Sequence, residues 1–251
     1  MNYEEFAIIY DKLINEDIDY NKIAKRIFQI CEEYNINRKD YLDLACGTGN
    51  VAINIADSFE DSCAVDLSED MLTIAYDKFQ QNNINCQFLC QNMSELSLGK
   101  KFDLITCVLD STNYIVEDED IQNYFKAVSN HLKDDGIFIF DINSYYKITQ
   151  ILGDNIYTYD NDDIFYVWEN QLEDDVVNMF LTFFVKDKNG YRRFDEEHTE
   201  RGYTESQIEE LLENANLQVI KKFDGYNDKE VNDLSERILY IVKKKGSDIN
   251  G

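Results

Sequence analysis

The sequence predicts an α/β protein, a doubly wound, mostly parallel sheet of seven strands that carries a small antiparallel insertion. Three observations predict it. From Tyr41 to Asp141, short apolar runs alternate with stretches of helical periodicity. Those runs are apolar throughout rather than at every second residue, as strands covered on both faces require. Between residues 156 and 200 the pattern changes to two-residue alternation rich in aromatic side chains, with Asn189-Gly190 as a hairpin signal.

Taken in order, residues 3–12 read as a short helix, and Tyr10 is a candidate to close over a ligand. A second helix over about 18–34 carries Tyr20, Ile23, Ile27, Ile30 and Cys31 near one face. Next comes the central stretch, Tyr41-Leu-Asp-Leu-Ala-Cys-Gly-Thr-Gly-Asn50. It reads as strand, tight turn and the start of a helix at Val51. Glycine suits a sharp bend or a backbone lying against a ligand. The helix behind such a turn aims free N–H groups at the same spot.

Ser62–Asp66 is a second strand ending in a carboxylate. Asp66 stands about twenty residues past Gly47, where an acid takes ribose hydroxyls in nucleotide-binding sheets. Ser68 caps a helix with Glu69 and Asp70 in its first turn. Cys86–Cys90 and Phe102–Leu109 are further strands, followed by a polar segment Asp110–Tyr114 and an acidic linker 117–120. A helix over about 120–133 follows, in which His131 is read as a packed helix residue. Gly136 suits the left-handed C′ position after it, and Ile137–Asp141 is the fifth strand.

A short helix near 143–152 leads to three antiparallel strands around 163–169, 176–185 and 191–198. Thr204-Glu-Ser-Gln207 is a capping box before a helix, and Leu217–Phe223 and Arg237–Val242 close the sheet. The expected division is 1–150 with 201–245 as the sheet domain, 151–200 as the insertion, and 246–251 as a flexible tail.

The 251 residues suffice for one large domain with an insertion. The net charge of −26 repels polyanions, and the only tight basic cluster is Lys243–Lys245, so nucleic acid is excluded as main substrate. No apolar run reaches the roughly 20 residues of a membrane helix, and the acidic start lacks a signal pattern, so a cytoplasmic protein is expected. The six cysteines form no C-x-x-C pair and mostly lie in apolar runs, so they are read as buried residues and no metal site is expected. Oligomeric state is not read from the sequence.

Polar groups end every strand of an otherwise apolar set: Asp43, Asp66, Asn92, Asp110 and Asp141. Ligands of such sheets bind beyond the carboxyl ends of the strands. Gly47-Thr-Gly-Asn-Val-Ala52 also matches G-x-G-x-x-G/A, the dinucleotide fingerprint. Against that stand Asp43, whose charge faces a pyrophosphate badly, and the lack of a domain for hydride transfer.

Asp43–Gly49, Val65-Asp66-Leu-Ser with Met71, Gln91-Asn-Met93, Phe102–Thr106 and Leu132–Phe140 resemble the successive motifs of class I S-adenosylmethionine-dependent methyltransferases. The likeness is to small-molecule enzymes with an antiparallel insertion after the fifth strand, a group that includes sugar-amine and glycine N-methyltransferases. The resemblance implies a Rossmann-like fold, S-adenosylmethionine as cofactor with S-adenosylhomocysteine as product, and methyl transfer to N or O of a small molecule by in-line displacement.

It also implies roles. The backbone of Ala45, Cys46, Gly47 and Gly49 holds the methionine part, with Asp43 near its ammonium. Asp66 takes the ribose, Leu67 and Met71 flank adenine, Asn92 and Met93 meet its edge, and Leu109 and Asp110 border the sulfonium. Asn92 departs from the Asp common in the family, but its carbonyl oxygen still accepts a hydrogen bond. Asn113, Tyr114, Tyr166 and Trp168 are candidates for acceptor binding, and His198 in the insertion is the candidate base. The alternatives are a nicotinamide oxidoreductase, a cofactor-binding protein without methyl transfer, and a methyltransferase acting on protein.

Overall fold

The structure is a computed structural model that describes residues 18–188 and 190–247. The expected helix over 3–12, with Tyr10, lies outside the described residues, as do Asn189 of the hairpin signal and residues 248–251 of the tail. A seven-stranded sheet is built from β1 (Asp40–Leu44), β2 (Asp61–Asp66), β3 (Gln87–Cys90), β4 (Phe102–Cys107), β5 (Leu132–Asn143), β10 (Leu217–Asp224) and β11 (Arg237–Lys244). Its order is β10-β11-β5-β4-β1-β2-β3. The pairs among β1 to β5 are parallel, while β11 runs antiparallel between β5 and β10.

The pleat sorts each strand's residues onto two faces. Leu42, Leu44, Ile105, Phe138, Phe140 and Tyr240 point one way, and Tyr41, Leu104, Ile139, Leu239 and Ile241 the other. The first face is covered by α4 (Asp118–His131) and α5 (Glu205–Asn214), through Ile121, Phe125, Ile208 and Leu212. The second is covered by α1 (Tyr20–Glu33), through Ile23, Ile27 and Ile30, and by Phe79 of α3 (Glu69–Gln81). Each cluster contains more than a dozen fully or nearly fully buried apolar residues, and at about 1.5–3 kcal/mol per large side chain their burial dominates the fold's stability.

Several boundaries differ from the sequence reading. The helix expected at Val51 is only α2 (Ile53–Ala56), since residues 47–52 turn before it. The acidic segment 117–120 is no linker: Asp118, Glu119 and Asp120 form the first turn of α4, where carboxylates meet the positive dipole end. Gly136 is not a helix cap. The helix stops at His131 and the chain enters β5 at once, with an irregularity that pairs Phe102 with Leu132 but Leu104 with Ile137. A Cβ on Gly136 would lie 2.8 Å from the carbonyl oxygens of both Phe102 and Asp103, so close backbone approach explains the glycine. The helix near 143–152 is a π-helical turn, Lys147–Leu152.

The insertion has four strands, not three: β6 (Ile156–Asp160) adds an edge to β7 (Ile164–Glu173), β8 (Val176–Asp187) and β9 (Gly190–Arg201), in consecutive antiparallel order. It is tied to the main sheet by Asn113. That buried amide donates to the carbonyls of Asn143 and Arg201, at 3.0 and 2.9 Å, and accepts from the Asn143 N–H at 2.9 Å. No described helix is long and apolar enough to cross a membrane.

Candidate active site

The carboxyl ends of β1, β2 and β4 open onto a cleft of about 540 Å³. The chain leaves β1 through Ala45 at φ 51° and β4 through Leu109 and Asp110 at φ 61° and 58°. These are left-handed conformations that cost non-glycine residues energy and cluster at functional sites. Gly47 and Gly49 continue the first turn at φ 54° and 77°. A Cβ on Gly47 would meet nothing within 4 Å, whereas one on Gly49 would crowd Phe79 and Ala75 at 3.1 and 3.2 Å. Gly47 thus leaves room on the cleft side, and Gly49 lets α3 pack against the turn. Cys46, just before Gly47, anchors the turn by its N–H to the Val65 carbonyl, 3.0 Å.

Asp66 joins two turns: its Oδ2 accepts from the Gly47 N–H at 2.8 Å and its Oδ1 from the Ser68 N–H at 2.9 Å. Ser68 caps α3 by accepting from the Met71 N–H. Leu67 is 70% exposed at the rim beside Met71. Asn92 caps a short 3-10 helix, Met93–Glu95, through its Oδ1, which accepts from the Ser94 N–H at 3.0 Å. Asp43 is buried behind the first turn and accepts from the Thr106 hydroxyl at 2.5 Å, and Tyr41 shares that hydroxyl at 2.9 Å. Burial drives the Asp43 carboxyl up to about 7, with the nearby charge of Asp66 adding and the Thr106 hydrogen bond opposing.

The other half of the cleft is made by Tyr114, the start of α4 and β9. Tyr114 hydroxyl and His198 Nδ1 are 3.3 Å apart and the rings meet edge to face at 5.9 Å. Burial lowers the His198 imidazole below its ordinary value, partly offset by Asp110. Of the lining residues, Asp110, Glu117, Asp120, Glu196 and Glu197 are acidic, and no Lys or Arg among the described residues lines the cleft.

The cleft brings together Ala45, Gly47, Asp66, Leu67, Met71, Asn92, Met93, Leu109, Asp110, Tyr114 and His198, all named from the sequence. It does not bring Asn113, Tyr166 or Trp168 to its wall. The Asn113 amide is consumed by the backbone bonds described above. Tyr166 packs between Tyr159 and Phe183, with ring centroids at 5.3 and 5.4 Å, and Trp168 packs on Tyr157 at 5.4 Å. Sequence reasoning passed over Glu196, although 194, 196, 198 and 200 share one face of β9 by strand period alone. Arg237 and Tyr226, which support the Leu109–Asp110 turn, carry no local signal. His131 is buried away from the cleft, with Nδ1 donating to the Ala127 carbonyl at 2.7 Å and Nε2 accepting from the Leu98 N–H at 3.0 Å.

Known proteins resemble this chain. A family profile described as a methyltransferase domain matches residues 42–136. A protein of Geobacillus sp. (strain WCH70), provisionally named a methyltransferase, is 35% identical over 97% of this chain and 100% of its own length. YqeM of Bacillus subtilis (strain 168), provisionally named likewise, is 33% identical over 97% and 98%. This chain is a class I S-adenosylmethionine-dependent methyltransferase. The crystal structure of an S-adenosylmethionine-dependent methyltransferase from Clostridium acetobutylicum ATCC 824 superposes with a TM-score of 0.93 at 53% identity, covering 97% of this chain and 99% of that one. The residues of the cleft suit this methyltransferase's cofactor. A carboxylate stands where a diol can be held, open space faces Gly47, and a buried acid lies behind the turn to meet a cation.

Proposed function

We propose that this methyltransferase transfers the methyl group to the nitrogen of a small-molecule amine that reaches the cleft as an ammonium. The observation that carries this reading is the charge of the acceptor half, where Asp110, Glu117, Asp120, Glu196 and Glu197 line the wall and no Lys or Arg among the described residues does. Such a wall attracts a cationic group at the reacting end of the acceptor. A more distant relative is named for a matching chemistry: a dTDP-3-amino-3,6-dideoxy-α-D-glucopyranose N,N-dimethyltransferase of Streptomyces fradiae, 27% identical over 55% of this chain and 52% of its own length.

In this reading Asp66 holds the ribose hydroxyls, and Leu67 and Met71 flank the adenine. Asn92 and the Met93 N–H meet the adenine edge. Residues 45–49 cradle the methionine part, with Asp43 behind its ammonium. When bound, S-adenosylmethionine supplies an electrophilic methyl on a sulfonium, whose sulfur keeps the bonding electron pair as the methyl leaves in line. Residues 151–200 act as a lid over the acceptor half, because β9 brings Glu196, Glu197 and His198 to the cleft. The carboxylates orient the ammonium. His198, held neutral by burial and steadied by Tyr114, takes its proton, so that the nitrogen lone pair is free to attack. Nucleophile and methyl need to be held at about 3–3.5 Å in line.

The test is S-adenosylhomocysteine release from S-adenosylmethionine with matched acceptors that differ in one group: amine, hydroxyl or carboxylate. Turnover is expected with amines alone, and His198→Ala is expected to slow it at least tenfold with cofactor affinity unchanged. Turnover with a hydroxyl or carboxylate acceptor while amines stay inert would refute the amine assignment.

A further inference from the structure

Behind the cleft lies a buried network that no motif announces. Asp141, at the end of β5, is completely buried. Its carboxylate accepts four hydrogen bonds: from the N–H groups of Leu109 and Asp110, each at 2.8 Å, from the Tyr226 hydroxyl, and from Nη1 of Arg237. The second guanidinium nitrogen, Nη2 of Arg237, donates to Oδ1 of Asp110 at 2.7 Å. One arginine thus bridges the carboxylate that holds the turn and the carboxylate that the turn presents. Such a fork fixes geometry as well as charge.

The turn it holds is the strained one. Leu109 and Asp110 take consecutive left-handed conformations, and neither is glycine. A strained pair persists only where its surroundings determine it. Both N–H groups of the pair are spent on Asp141, and Asp110 also starts the 3-10 helix Ser111–Tyr114 that carries Tyr114 to the acceptor half. The same turn therefore sets the wall of both halves of the cleft. Lys147 and Glu200 stand nearby: Lys147 donates to Asn143 Oδ1 at 3.0 Å, and Asn143 donates to Glu200 Oε2 at 2.8 Å. The bridge to Asp110 itself is made by Arg237.

We propose that Arg237 and Tyr226 are positioning residues for methyl transfer: through Asp141 they hold the Leu109–Asp110 turn, and Arg237 fixes the Asp110 carboxylate where the cofactor and acceptor halves of the cleft meet. The proposal rests on the proposed function, with Leu109 and Asp110 beside the sulfonium as the family resemblance implies. It is distinct from the fold's need for these residues, because the turn faces only one end of the ligand. The nucleoside end is served by Asp66, Leu67 and Asn92 on other loops.

The experiment is calorimetric binding of S-adenosylmethionine and of adenosine, at a temperature well below each variant's unfolding midpoint. Arg237→Met and Tyr226→Phe are expected to weaken S-adenosylmethionine at least tenfold and about threefold respectively, with adenosine affinity changed less than twofold. Arg237→Lys, which keeps one charge but not the fork, is expected to fall between wild type and Arg237→Met. Equal weakening of both ligands, or no change in S-adenosylmethionine affinity, overturns the proposal. If Arg237→Met does not fold, Tyr226→Phe, which removes one hydroxyl, decides by the same criterion. Asp66→Ala is the control for the reading beneath it: unchanged affinity for both ligands there would overturn the ligand placement itself, not the positioning role.

Discussion

Asp66 has two structural duties besides any ligand, since each carboxylate oxygen already accepts one backbone N–H from a different turn. A carboxylate oxygen has lone pairs for more than one donor, so ribose hydroxyls add to this pattern rather than replace it. Asp66→Ala removes a charge-assisted pair of about 1.5–3 kcal/mol, which corresponds to roughly ten- to hundredfold in cofactor affinity. Calorimetry that returns wild-type affinity would remove the ribose assignment. Asp66, Gly47 and Ser68 were all legible in the sequence because their signals are local: a strand end, a turn and a cap are each marked by the residues beside them. Tyr166 and Trp168 were misread because an aromatic residue on a strand looks the same whether it faces a cleft or its neighbours' rings. The choice between them depends on which way the insertion leans.

At the scale of elements, the β5 entry shows where local signals mislead. Lys133-Asp-Asp-Gly136 has the composition of a helix end, yet it is drawn into the strand. Lys133 Nζ reaches Asp40 at 2.5 Å and Asp103 at 2.9 Å, and Gly136 lets β5 pass over the β4 backbone. A non-local ion pair and a steric requirement outweigh the turn propensity. Gly136→Ala is expected to cost about 1–3 kcal/mol through overpacking against two carbonyl oxygens, read as a lower urea midpoint with unchanged slope. A midpoint equal to wild type would show that β5 can shift to admit the methyl. The alternating order of strands and helices was legible from hydrophobic period alone. The fourth strand of the insertion was not, because Ile156–Asp160 is a short edge strand with few buried residues to mark it.

For the whole molecule, charge and burial together set the response to pH. Burial, with the charges of Asp66 on Asp43 and of Asp110 on Glu200, raises these two carboxyls to about 7 and about 8. A carboxyl raised in the folded state favours folding below its unfolded value near 4, and that contribution is lost as pH rises through the folded value. Self-repulsion from a net charge of −26 acts in the same direction. His198, lowered by burial, works the opposite way only below about pH 6.5. The unliganded protein's thermal midpoint is therefore expected to fall between pH 6.5 and 8.5, and Glu200→Gln to flatten the fall. A midpoint that rises over this interval would contradict the buried-acid account.

The brace of the Leu109–Asp110 turn has a consequence for synthesis on the ribosome. Chains emerge N-terminus first, and domains form as their parts become available. The glycine turn, Asp66 and the Leu109–Asp110 segment all leave the exit tunnel early, but Arg237 follows Asp110 by 127 residues. A nascent chain thus exposes the cofactor-facing loops long before the residue that clamps them exists. On the positioning role proposed for Arg237, full cofactor affinity waits for β11, and a product clipped before β11 is expected to bind S-adenosylmethionine more weakly than the full chain.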